Sequence, residues 1–98
     1  MAQVQIARSA ETDLLNGYVF YEQQQAGIGD YFLDSLAADI DALALYAGIH
    51  PKPDGRLHRT LAARFPFAIY YDLHDGVATV VAVLDCRQNP GAIAQRLG

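Results

Sequence analysis

At 98 residues and 52% hydrophobic composition, the chain is expected to form one domain over residues 1–98, with a modest core and not a deep one. Seven basic against eleven acidic side chains leave a net charge of −4, which argues against tight, sequence-independent nucleic-acid binding, since that needs a strongly basic face. There is no apolar run long enough to span a membrane, no low-complexity segment or internal repeat, and a single cysteine, Cys86, which excludes an internal disulfide.

The chain opens with Gln3-Val4-Gln5-Ile6-Ala7-Arg8, whose polar–apolar alternation suits a short edge strand. Ser9 then reads as an N-cap, followed by Glu11 and Asp13 in an acidic first turn that complements a helix dipole. Leu14, Leu15, Tyr18, Val19 and Glu22 continue at helical spacing until Gly27 and Gly29 break the helix. Asp30 is placed to cap a second helix. Its apolar stripe runs Phe32, Leu36, Ile40 and Leu43, broadened by Leu33, Ala37 and Ala44. Gly48 and the segment His50-Pro51-Lys52-Pro53-Asp54-Gly55 end it, because neither proline can continue a helix.

Arg56 to Leu61 alternates weakly and is expected to pair with a strand over Phe65–Asp72. A second apolar strand, Val77 to Leu84, follows the turn His74-Asp75-Gly76, where Gly76 supplies positive φ. A hairpin this apolar on both faces belongs at the centre of a sheet and must be covered. Ala92 to Leu97 forms one helical turn or two, too short to hold without packing. The predicted order is β-α-α-β-β-β, an α+β fold with a helical hairpin on a small, mostly antiparallel sheet.

Charge is unevenly divided. Residues 1–54 carry two basic and eight acidic side chains, and residues 55–98 carry five arginines against three aspartates. Arg56, Arg59 and Arg64 form either a functional patch or solvated edge-strand charges that deter aggregation. Arg87 at the end of the last strand either contacts a partner or pairs with Asp85 or Asp72. His50, His58 and His74 lack metal-ligand spacing, so no metal site and no cofactor are expected. Cys86 reads as a small buried hydrophobe rather than a nucleophile. Tyr70 and Tyr71 fall on opposite strand faces, one in the core and one toward the surface. Tyr18, Tyr21, Tyr31 and Tyr46 read as helix-packing residues.

Ala10, Asp13 and Leu14 in the first helix, Phe65-Pro66-Phe67-x-Ile69-x-Tyr71, and the exit Ala82-Val83-Leu84-Asp85-Cys86-Arg87-x-x-Pro90 together resemble the RelE/ParE superfamily of bacterial type II toxins. Members are often described as plasmid stabilisation proteins, and the resemblance covers nearly the whole chain. It implies a toxin that is neutralised by a cognate antitoxin and pairs with a second copy when alone, while the single Cys86 fits a reducing cytoplasm.

One branch cleaves mRNA on the ribosome, which needs a general base, a general acid and cations for the phosphorane charge. The weak candidates for those roles are His58, Arg59, Arg64 and Arg87; a base–acid pair is not evident. The other branch poisons DNA gyrase by binding, and this chain reads as nearer to it. Arg56, Arg59, Arg64, Tyr70 and Arg87 are then candidates for contacting target or antitoxin. A third reading, a toxin fold kept as a binding module without toxicity, is motivated by the acidic charge and by Gln88, where many relatives carry arginine.

Overall fold

The computed structural model describes residues 1–98. Strand β1 (Gln3–Ile6) leads into helix α1 (Arg8–Gln24), helix α2 (Ile28–Asp41) and a short α3 (Leu43–Tyr46). Strands β2 (His58–Leu61), β3 (Phe67–His74) and β4 (Val77–Asp85) follow, and helix α4 (Pro90–Leu97) closes the chain. The sheet order is β1-β4-β3-β2, with β1 parallel to β4 and the other neighbours antiparallel. The helical hairpin thus carries the chain from one sheet edge to the other, and the β3–β4 hairpin fills the centre. This is the expected α+β architecture. The tight turn is as the Asp-Gly pair dictates, with φ of 50° at Asp75 and 76° at Gly76.

Two apolar layers hold the sheet. On one face Phe32, Leu36, Ile40 and Leu43 of the hairpin pack on Ile69, Tyr71, Val80 and Val83, all essentially inaccessible to water. Each such side chain contributes about 1.5–3 kcal/mol relative to exposure. On the other face Ala68, Tyr70, Ala82 and Leu84 are covered by Leu57, Ile93 and Leu97. The predicted stripe is therefore found, but on two helices: Phe32, Leu36 and Ile40 lie on α2, Leu43 and Ala44 lie on α3, and Ala37 is exposed and does not widen it. Gly17 of α1 allows the two helices to approach: a Cβ there would lie 2.5 Å from the Phe32 ring.

Local capping differs from expectation at both helices. Ser9 does not cap α1, which starts after Ala7; its hydroxyl instead donates to the Val81 carbonyl at 2.7 Å. Asp30 does not cap α2. Gly27, with φ of 95°, begins that helix, and the Glu22 carboxylate of α1 accepts the N–H groups of Gly27 and Gly29. Gly29 lies inside α2 and breaks nothing. Leu15 and Val19 face solvent, because the inner side of α1 is set by Ala10, Leu14, Gly17 and Tyr21.

Strand boundaries shift for identifiable reasons. The Asp54 carboxylate accepts the N–H groups of Arg56 and Leu57, which holds those residues in a turn and delays β2 to His58. Phe65-Pro66 forms a turn before β3, closed by Phe67 N–H on the Phe65 carbonyl. A register shift between Tyr70 and Tyr71 leaves Val81 bulged out of β4 and only half-buried.

Candidate functional site

Beyond Ile6, β1 no longer borders β4, and α1 takes over its hydrogen bonding. Ala7 N–H donates to the Val80 carbonyl, Ser9 Oγ to Val81, and Val83 N–H to Asp13 Oδ2 at 2.9 Å. The other oxygen of Asp13 accepts from Arg96 of α4 at 2.6 Å, and Arg96 also reaches the Ser9 carbonyl. One carboxylate therefore ties α1, β4 and α4 together. Sequence reasoning assigned Asp13 to the helix dipole and missed Arg96. The available signal was that Arg96 is the only charged residue in the terminal helix.

The five candidate arginine and tyrosine positions do not converge on one point. Arg59 and Tyr70 are paired across β2 and β3 and lie on the α4 face. The Arg59 Nε donates to the Tyr70 hydroxyl at 3.2 Å, and Nη2 approaches the Cys86 sulfur at 3.7 Å. The Tyr70 hydrogen bond raises the pKa of Arg59 further above its ordinary value. Tyr70 is buried at 6% exposure rather than lying at the surface. Cys86 is only half-buried, contrary to its reading as a buried hydrophobe. Arg56 stands nearby, ion-paired with Asp54 and donating to the Leu97 carbonyl.

Arg87, next in the chain to Cys86, and Arg64 flank an aromatic row between the sheet and the helical hairpin. Arg87 grips Asp85 through Nε and Nη2 at 2.9 and 2.7 Å, and Nη2 also reaches the Tyr21 hydroxyl at 3.4 Å. That pairing raises the pKa of Arg87 and lowers that of Asp85. Arg87 thus pairs with Asp85, one of the two carboxylates read for it, and more than half of its side chain stays exposed. Tyr21 packs on Phe65 at 4.9 Å between centroids, Phe65 packs on Tyr31 at 5.5 Å, and Arg64 donates to the Tyr31 hydroxyl at 3.1 Å. Tyr21 and Phe65 are half-buried, whereas Tyr31 is exposed, as is Phe20, which stands edge-on to Tyr21. Phe20, Phe67, Gln88 and Asp85 line a groove of about 320 Å³ beside it.

His58 lies on the opposite face of β2 from Arg59. Its ring is buried, stacks on Tyr71 at 4.9 Å, and its Nδ1 donates to the His50 carbonyl at 2.7 Å. The Tyr71 hydroxyl accepts the Gly48 N–H at 2.9 Å and meets His50 Nδ1 at 2.5 Å. Burial, with the neighbouring His58 as a smaller cause, lowers the pKa of His50 and favours the neutral ring that accepts from Tyr71. The His58 ring is therefore held inside the fold, and His50 connects it to a surface groove that His50 lines with Tyr46 and Leu61.

No family model matches the sequence, and no curated protein matches it. Among solved structures, a chain of the chromosomal ParDE TA system from P. aeruginosa shares the fold with a TM-score of 0.75. The two are 15% identical, and the match covers 85% of this chain and 94% of that one. Helices packed on a four-stranded mixed sheet are thus the fold that this chain shares with the ParDE chain. No helix is long and apolar enough to cross a membrane.

Proposed function

We propose, from this ParE-like fold, that the chain is the toxin of a type II toxin–antitoxin pair of the plasmid-stabilisation kind. It acts by binding an essential cytoplasmic target such as DNA gyrase, and a cognate antitoxin neutralises it. The likeness to a ParDE chain over 85% of the sequence is the observation that carries this reading. Fold alone does not fix function, so the site must choose the mechanism. Placement of the candidate groups favours binding over RNA cleavage. His58 is buried on one face of the sheet, Arg59 sits on the other, and Arg87 is held by Asp85.

An antitoxin tail needs apolar surface beside charge to dock. Leu15, Val19 and Phe20 of α1 are exposed, and the groove at Phe20 and Asp85 adjoins the Arg87 end of the aromatic row. In the absence of antitoxin the same surface favours pairing with a second copy. Purified chain added to a gyrase supercoiling reaction and, separately, to a translating extract tests the mechanism. Inhibited supercoiling with intact transcripts is expected. Transcripts cut at codon spacing would transfer the chain to the ribosome-dependent endoribonucleases, and no effect in either assay would mark a binding module without toxicity.

A further inference from the structure

A cleft of about 600 Å³ opens on the outer face of the sheet, between α4 and the segment from Pro53 to Arg59. Pro53, Pro90, Ile93, Ala94 and Leu97 give it apolar walls. Tyr70 and Arg59 also line it, together with Cys86 and Gln88. The charges in it are unequal. Arg56 is matched by Asp54 at 3.3 Å, whereas half-buried Arg59 has no carboxylate within ion-pairing distance. Its Nε is used on Tyr70 and its Nη2 on the Cys86 sulfur, and Nη1 makes no hydrogen bond within the protein.

A guanidinium partly withdrawn from water without a counter-ion is stabilised by any anion that reaches it. Its planar fork suits a carboxylate, which can take two parallel N–H bonds. The Tyr70 hydroxyl accepts from Arg59 and so keeps its own proton to donate. We propose that this cleft binds a small-molecule monocarboxylate on an apolar body, the carboxylate meeting Arg59 and Tyr70 and the body lying along Ile93 and Leu97. The cleft falls within the volume range of small-ligand sites, which combine apolar walls with a few convergent polar groups. One uncompensated cation selects one negative charge. The assignment stands on the cleft alone and is independent of the toxin reading.

Isothermal titration of the full chain with octanoate and with octanamide tests it. Octanoate is expected to bind, and octanamide to bind at least about tenfold more weakly, as loss of a charge-assisted hydrogen bond implies. Arg59→Met should lose octanoate binding by a similar factor, Arg59→Lys should recover part of it, and Arg8→Gln, an exposed arginine outside the cleft, should change it little. Octanoate should also slow iodoacetamide alkylation of Cys86, which places the ligand in the cleft. Should Arg59→Met fail to fold, the two titrations and the Cys86 protection on the unaltered chain decide the matter. Equal binding of octanoate and octanamide, undiminished binding by a folded Arg59→Met, or capture of an acetylated Leu-Glu-Leu peptide without octanoate binding would each overturn the proposal.

Discussion

Ile69 and Val81 look equivalent in sequence, each in the middle of an apolar strand, and the fold separates them. Ile69 is fully buried against the helical hairpin, so Ile69→Ala should cost about 2–4 kcal/mol in urea denaturation. Val81 sits at the bulge and is half-buried, so Val81→Ala should cost only about 1 kcal/mol. Equal losses would mean that the bulge is misplaced. Period-two alternation identified the strands but could not register a one-residue bulge, because the extra residue is permitted by the Ser9 hydroxyl on the Val81 carbonyl, 72 positions away in sequence. His50 gives a second test. Its folded pKa lies below the ordinary value, so the native state resists a proton that the unfolded chain accepts near pH 6.5. Stability from this group is full above that pH and is lost as pH falls through it. The melting difference between the parent and His50→Gln should therefore shrink between about pH 7 and 5. A pH-independent difference would remove His50 from the account. Losses below about pH 4 belong instead to Asp54 and Asp85, whose pKa values are lowered by their hydrogen bonds with Arg56 and Arg87.

At the scale of elements, α4 is the part that sequence reasoning underrated. Its eight residues carry no fully buried side chain, and they depend on Asn89 as N-cap, on Ile93 and Leu97 against the sheet, and on Arg96. Arg96→Ala breaks the 2.6 Å link to Asp13 but leaves the Val83 N–H bonded. It should speed amide exchange in α4 while shifting global stability by no more than about 1 kcal/mol. Asp13→Ala also strands the Val83 N–H and should cost about 1–3 kcal/mol, with exchange rising in β4 as well as α4. Similar losses in the two variants would mean that the carboxylate does not join the three elements. The element order and the stripe of α2 were legible because they depend on local periodicity. The caps were not. Glu22 wins over Asp30 at the start of α2 because the turn at Gly27 folds its carboxylate back onto the Gly27 and Gly29 N–H groups, across a helix break that a capping pattern read within one helix does not span.

For the whole molecule, the acidic helices and arginine-bearing sheet half are a property of sequence, whereas the grouping of the arginines is a property of the fold. The five candidate positions, of which Arg56, Arg59 and Arg64 were read as a patch, divide into the α4 cleft, with Arg56, Arg59 and Tyr70, and the aromatic row between Arg64 and Arg87. No spacing rule gives that division, since β2 and the β3–β4 exit part company only after the strands pair. The central claim, a ParE-like toxin with a neutralising partner, is tested most directly by bacterial growth after controlled induction of this chain. Induction is done alone, with the product of the adjacent reading frame, and as Arg87→Ala. The account predicts arrest by the chain alone, relief by the co-expressed neighbour, and weaker arrest by Arg87→Ala. Unimpaired growth with abundant folded protein would contradict it.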